Sequence, residues 1–300
     1  MTSTIAETAP AEVVAASGDP GMRGRTSERV IHIRPSRGLL DLGLDQVWSY
    51  RHLLFTLVRR DVSVQYKQAA LGAGWAVIQP IFAVIIFTII FSLFAKLPIP
   101  GNIPYPIFAF AAVLPWNYFA DSVRRASTSL VQEEELVKKV FFPRLVLPLS
   151  GVLTPIIDFL IGLCVLVIMM AFFGIWPSWR FIAIPFLIAF AGMTALTVSL
   201  WLAPINVRYR DVRHTLPFLL QIWMYGSPVV YSSTIVPEAW KWVFAVNPMV
   251  GVIDGFRWVI FGSEVLTLNS LAIGALIVAP LLFGGLVFFR KLERTFPDVI

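Results

Sequence analysis

The chain has 300 residues, of which 57% are hydrophobic and only 14% charged, whereas soluble domains carry about 25% charged residues. So few polar groups cannot cover the surface of a soluble fold of this size, and the mean hydropathy of +0.77 agrees. Cys164 is the only cysteine and the three histidines, His32, His52 and His214, are scattered, which excludes an internal disulfide and argues against a thiolate or imidazole metal site.

From Met1 to about Pro35 the chain is rich in Ala, Glu, Gly, Ser, Thr and Arg without an apolar period. It reads as a disordered tail. It lacks the continuous apolar run of a secretory signal, so the tail is expected to stay in the cytoplasm. The domain reading is a cytoplasmic tail over 1–44 and a membrane domain over 45–300. Over 45–68, Val47, Tyr50, Leu54, Leu57, Val58 and Val62 recur at three- and four-residue steps with Arg51, Arg59, Arg60 and Lys67 between them. That pattern predicts an amphipathic helix lying in the membrane interface, with Trp48 and Tyr50 near one end.

Long apolar stretches follow, and a spanning helix needs about 20 residues to cross roughly 30 Å of hydrocarbon. Six are predicted: 75–95, interrupted by Gln79-Pro80; 106–123, after the proline-rich turn 98–104; 148–173; 181–203; 216–231, the shortest, with Pro217 and Pro228; and 271–289. With the N-terminus inside, the inner flanks hold Arg51, Arg59, Arg60, Lys67, Arg124, Arg125, Lys138, Lys139, Arg144, Arg208, Arg210, Arg213, Arg290, Lys291 and Arg294. The outer flanks hold Lys96, Arg180, Lys241 and Arg257. Fifteen against four sets the orientation by the positive-inside rule. The net charge of +6 is thereby a topology signal, and no nucleic-acid partner is expected.

The segment 235–261 is outside in this scheme yet largely apolar, with Trp240, Trp242, Phe244, Phe256 and Trp258. Asn247-Pro248 divides it into two pieces, each too short to span, so it is expected to be a re-entrant pair dipping into the outer leaflet. The alternative, a seventh span bent at Pro248, would put Arg290, Lys291 and Arg294 outside. As a re-entrant pair, Trp240, Trp242, Asn247, Pro248 and Trp258 become candidates for an outer gate.

No Gly-Lys pair occurs anywhere, so the chain has no phosphate loop of the Walker type. Any ATP and magnesium must be bound by another subunit. Nor is there a His-Glu-x-x-His, a Gly-x-Ser-x-Gly or an Asp-x-Asp pair, and neither a catalytic residue nor a bound cofactor is expected here. On the inner side, Glu134 and Glu135 precede Lys138 and Lys139 by four residues, the favourable order on a helix, and Pro143 ends the run. This is either a solvated loop helix or a helix that docks a cytosolic subunit. Asp158 falls near the middle of the third span, where a carboxylate is a functional candidate by default. It can pin two helices, touch a polar substrate or carry a coupling proton. Trp116, Tyr118 and Phe119, with Trp223 and Tyr225, are belt aromatics or the lining of a path on which sugar rings stack.

The ordered set of Arg59-Arg60-Asp61, Tyr66-Lys67-Gln68 with Leu71-Gly72, and Trp75-Ala76-Val77-Ile78-Gln79-Pro80 resembles the membrane-spanning subunit of ABC transporters that export lipid-linked polysaccharides such as O-antigen, teichoic acid and capsule precursors. The likeness continues through Leu136-Val137-Lys138-Lys139-Val140-Phe141-Phe142-Pro143-Arg144, Asp158-Phe159-Leu160, Arg208-Tyr209-Arg210-Asp211, Asn247-Pro248 and Glu293-Arg294-Thr295-Phe296. The resemblance implies an all-α permease with an interface helix at the cytoplasmic face, a docking segment at Glu133, Glu134, Glu135, Leu136, Lys138, Lys139 and Phe141, and outer gate helices. It further implies two permeases paired around a channel, two cytosolic ATP-binding cassette subunits and an undecaprenyl-linked glycan as cargo. The chain departs from the family at Arg124-Arg125, where small polar residues are usual, and in its extended tail. With Arg59 and Arg60 this pair marks a basic inner mouth. Rival readings are an ABC exporter of a drug or lipid with the same architecture, an ion-coupled carrier working without ATP, and a membrane-embedded glycosyltransferase, against which the missing nucleotide-sugar motif argues.

Overall fold

Apolar runs with no polar partner outside themselves must satisfy their backbone hydrogen bonds internally, and every regular element among the described residues is helical. The computed structural model describes residues 44–67, 74–94, 103–209, 211–262, 268–293 and 296. The tail up to residue 43, Gln68, Leu71-Gly72, Lys96, most of the 98–104 turn, Arg210, Arg294 and Thr295 lie outside them.

The predicted interface helix is two pieces, α1 (Leu44–Ser49) and α2 (Arg51–Lys67), broken at Tyr50. Leu57 of α2 is buried, whereas Trp48, Phe55 and Val64 stand exposed. Next come α3 (Gly74–Phe87), continued by a π-helical stretch (Thr88–Phe94), and the long α4 (Tyr105–Gln132). The short α5 (Glu134–Lys139) leads to α6 (Val146–Leu153) and α7 (Ile156–Phe172). Pro155, with no N–H to give, marks the break between these last two. Then follow α8 (Ile184–Arg208), α9 (Val212–Tyr225), α10 (Lys241–Val246), α11 (Pro248–Phe261) and α12 (Leu268–Glu293).

The centre of the bundle is α4, packed against α3, α6, α7, α8, α9 and α11 and buried along most of its length. It crosses α6 so closely that a Cβ on Gly151 would sit 2.6 Å from the backbone of Ala126, so only glycine fits there. A second apolar cluster gathers at the α5 end, where Leu57, Val137, Phe142, Leu147, Phe289 and Phe296 meet. The outer surface of the bundle is apolar: Phe172, Ile182 and Leu276 are each at least 75% exposed. Soluble monomers rarely leave such area to water, and the chain is a membrane protein.

The spans differ in detail from the six predicted from hydropathy. Among the described residues three helical stretches are long and apolar enough to cross: Val146–Phe172, Trp179–Arg208 and Asn269–Glu293. The second predicted span lies in α4, 28 residues long, which carries Asp121, Arg124 and Arg125. The first is split between α3 and the π-helical stretch. The fifth shrinks to the 14 residues of α9, about 21 Å at the helical rise, because the chain leaves the helix at Gly226. The predicted division at Asn247-Pro248 is a bend of 101° between the helical stretches Glu238–Val246 and Pro248–Phe261.

Candidate functional site

Two clusters of polar side chains stand out, one at the α5 end of the bundle and one at the bend. At the α5 end, α2 presents Leu57, Arg60, Asp61, Val64 and Gln65 on one face, the three- and four-residue spacing of a helix stripe. They line a cleft of about 520 Å³ against the end of α4 and the start of α6. Arg60 spans it: its Nη1 donates to Glu133 Oε2 at 3.1 Å and its Nη2 to Oε1, while Nε donates to Asp61 Oδ1 at 3.0 Å. Hydrogen bonding to Glu133 raises the guanidinium above its ordinary range and outweighs the opposing effect of burial, with Asp61 adding to it.

Farther along α2, Gln65 Nε2 donates to both carboxylate oxygens of Asp158, at 3.0 and 3.1 Å, and the Tyr66 hydroxyl donates to Oδ1. Arg125 of α4 donates to Gln65 Oε1 at 2.8 Å. An amide thus relays between a cation and a carboxylate that do not touch. Asp158, Arg124, Arg125 and Asp121, which pairs with Arg124 at 3.1 Å, share a cavity of about 410 Å³ with Asn117 and Tyr118. Arg59, grouped with this basic set from sequence, is exposed on α2.

The predicted docking residues divide. Lys138 pairs with Glu134 at 2.6 Å and Lys139 with Glu135 at 2.8 Å, the spacing anticipated from sequence. Val137 anchors α5 in the second apolar cluster, with Leu136 packed partly against it, and Phe141 stands 71% exposed beyond the helix. Glu133 faces inward, to Arg60.

The aromatic residues assigned from sequence to a substrate path are brought together in part. Trp116, Phe119 and Trp223 form a cluster with ring centroids 5.1 to 6.5 Å apart. Trp116, Phe119 and Tyr118 are buried, Tyr118 meeting Phe159 edge-on, whereas Tyr225 is half exposed.

At the bend Asn247 makes three side-chain bonds: it accepts from Trp223 Nε1 and from the Met249 amide, each at 3.1 Å, and donates to Ser227 Oγ at 2.8 Å. As N-cap, with Pro248 at the first helical position, it opens α11, an arrangement both residues favour. Nearly all of α11 is buried, whereas Trp240 and Trp242, at and just before the start of α10, are exposed. Trp258 packs edge-on against Trp179 under the Arg180 guanidinium.

The sequence reading did not find the pair on α11. Arg257, counted there as an outer-flank cation, is buried beside Asp254 and donates to the carbonyls of Val229 and Tyr231 at 3.0 Å each. Its guanidinium lies 3.8 Å from the Phe108 ring centre. Two opposite charges three residues apart in an apolar run were the available signal. Arg60–Glu133, Gln65 and Tyr66 gave none, since their partners are remote in sequence.

An apolar-surfaced helical bundle with a short charged helix on one end and a sharply bent apolar pair is the build of a polytopic membrane protein. The chain belongs to the ABC-2 type transporter family, whose profile matches residues 52–261. It is 29% identical over 257 residues to the O-antigen export system permease protein RfbA of Myxococcus xanthus, covering 85% of this chain and 98% of that protein. It is 28% identical over 251 residues to the Klebsiella pneumoniae protein of the same name, covering 83% and 95%. The Polysialic acid transport protein KpsM of Escherichia coli is 22% identical over 248 residues, covering 79% and 92%.

Proposed function

We propose that the chain is the permease subunit of an ATP-driven exporter that moves an undecaprenyl-linked polysaccharide outward across the inner membrane. The observation that carries this reading is the near full-length likeness to O-antigen export permeases, which spans at least 83% of this chain and 95% of each relative. In this reading the membrane is crossed six times: by α3 with its π-helical continuation, α4, α6 with α7, α8, α9 with the turn after it, and α12. Both termini are cytoplasmic, in keeping with the excess of basic residues on one set of flanks. The helices α1 and α2 lie in the cytoplasmic interface with Trp48 of α1 and Phe55 of α2 toward lipid.

Two copies pair around the path and bind two ATP-binding cassette subunits, which hold ATP and magnesium. The exposed charges of α5 and the Phe141 ring are the docking surface. Of the four arginines assigned from sequence to a basic inner mouth, Arg59 and Arg124 are left to meet an anionic lipid-linked end, since Arg60 and Arg125 are held by Glu133 and Gln65. Trp223 and Tyr225 face the path with Trp116, Tyr118 and Phe119 behind them, and the pair α10–α11 dips into the outer leaflet as the gate.

Deletion of the gene tests the reading. Surface polysaccharide should disappear while mass spectrometry detects lipid-linked glycan accumulating inside the cell. Normal surface polysaccharide in the deletion strain would overturn it.

A further inference from the structure

The polar bridges on α2 tie that helix to the α4–α5 junction, to α7 and to α4. Glu133 is the residue immediately before α5, at its N-cap position, with its carboxylate turned to Arg60 and not to the helix end. Any displacement of α5 therefore moves Glu133, and Arg60 with it. One and a half turns along the same helix, Gln65 and Tyr66 hold Asp158. Asp158 lies three residues past Pro155, and the pyrrolidine nitrogen there leaves the carbonyl of Gly151 without its usual helical donor. The carboxylate is thus attached where the stretch Val146–Phe172 bends most cheaply. Between the two bridges α2 lines the cleft of about 520 Å³, while one turn earlier Leu57 anchors the helix in the second apolar cluster, a fixed point about which the stretch carrying the bridges can pivot.

Half-exposed ion pairs stabilise a fold little, and Arg60 and Glu133 are 44% and 24% exposed at the side chain. Stability therefore explains this bridge poorly, whereas a two-point, charge-assisted link has fixed geometry and passes on displacement. We propose that α2 is the transmission lever of the subunit, with Arg60–Glu133 as its input clasp and Gln65–Tyr66–Asp158, braced by Arg125, as its output clasp. Glu133 is then a positioning residue inside the permease and makes no contact with the ATPase. Asp158 is a positioning residue that acts on the α6–α7 break and takes no part in binding cargo or a coupling proton. The proposal rests on the exporter reading given above.

The experiment uses the complete complex with its ATPase partner, and compares Arg60→Glu, Glu133→Arg and the double exchange. Either single variant should lower export by about tenfold, within the range of known coupling between sites. ATP hydrolysis by the purified complex should stay within about twofold of the parent, the ordinary tolerance for independent changes. The double exchange, which restores an ion pair of reversed sense, should recover export. At the output clasp, Asp158→Asn still accepts from Tyr66 and should retain most export, whereas Asp158→Leu should lose it.

A second readout needs no cargo. In a Cys164→Ser background the maleimide labelling rate of Leu153→Cys, at the α6–α7 break, should change on vanadate trapping of the ATPase. It should stop responding in both single variants and respond again in the double exchange. Unimpaired single variants, an unrescued double exchange, or an Asp158→Asn as inactive as Asp158→Leu would each overturn the lever. If the parent complex exports no polysaccharide the exporter reading fails, and the labelling arm still decides the lever.

Discussion

Asn247 shows how one side chain sets a 101° bend. Its amide satisfies the indole of Trp223, the hydroxyl of Ser227 and the backbone of Met249 at once. Asn247→Ala should destabilise the protein by about 1–3 kcal/mol, because buried donors are left without acceptors, and the loss should appear as a lower Tm in detergent. Asn247→Asp keeps the two acceptor contacts but sets a carboxylate oxygen against Ser227 Oγ, whose one proton is given to the Trp223 carbonyl, so it should recover only part of that stability. An alanine variant as stable as the parent would mean that Pro248 alone makes the bend. The sequence singled out Asn247-Pro248 as the point of division, because proline punctuation is local. It did not reveal that Trp223, assigned to a substrate path, is Asn247's hydrogen-bond partner.

At the scale of elements, α5 separates stability from docking. Its two Glu–Lys pairs are exposed and each contributes a few tenths of a kcal/mol at most, while Val137 supplies the anchor in the core. Phe141 is 71% exposed, so Phe141→Ala should leave Tm nearly unchanged. In the docking reading the same variant, or Glu134→Lys with Glu135→Lys, should lose the ATPase subunit on co-purification. Undiminished recovery of the complex would reduce α5 to a solvated loop helix. The pair α10–α11 divides in the same way. Its short first arm is exposed and its second arm is core, so a gating motion confined to the region near α10 costs far less than one that drags α11.

At the scale of the whole molecule, the side on which each end of the bent pair emerges decides the topology. In the Cys164→Ser background, Ile235→Cys and Ser263→Cys should both label with an impermeant reagent from outside the cell. Labelling of one of them from the cytoplasm alone would make the pair a seventh, broken span and would invert the assignment of α12. The purified chain without its partner should hydrolyse no ATP, since it carries no Gly-Lys phosphate loop.

The sequence by itself determined that this is an all-helical membrane protein, that Asn247-Pro248 interrupts an apolar segment, and that Glu134 and Glu135 would meet Lys138 and Lys139. Each of these is a short-range property: hydropathy over a window, proline chemistry, or side-chain spacing on one helix. Tertiary structure decided the rest. That α9 stops at Tyr225, that Arg257 is buried against carbonyls from another segment, and that Glu133 turns inward to Arg60 are facts about surroundings. Arg60 and Glu133 are 73 residues apart, and Gln65 and Asp158 are 93 apart. A charged side chain in an apolar context must find a partner because leaving it unpaired is costly, but which partner it finds is fixed only when the helices pack.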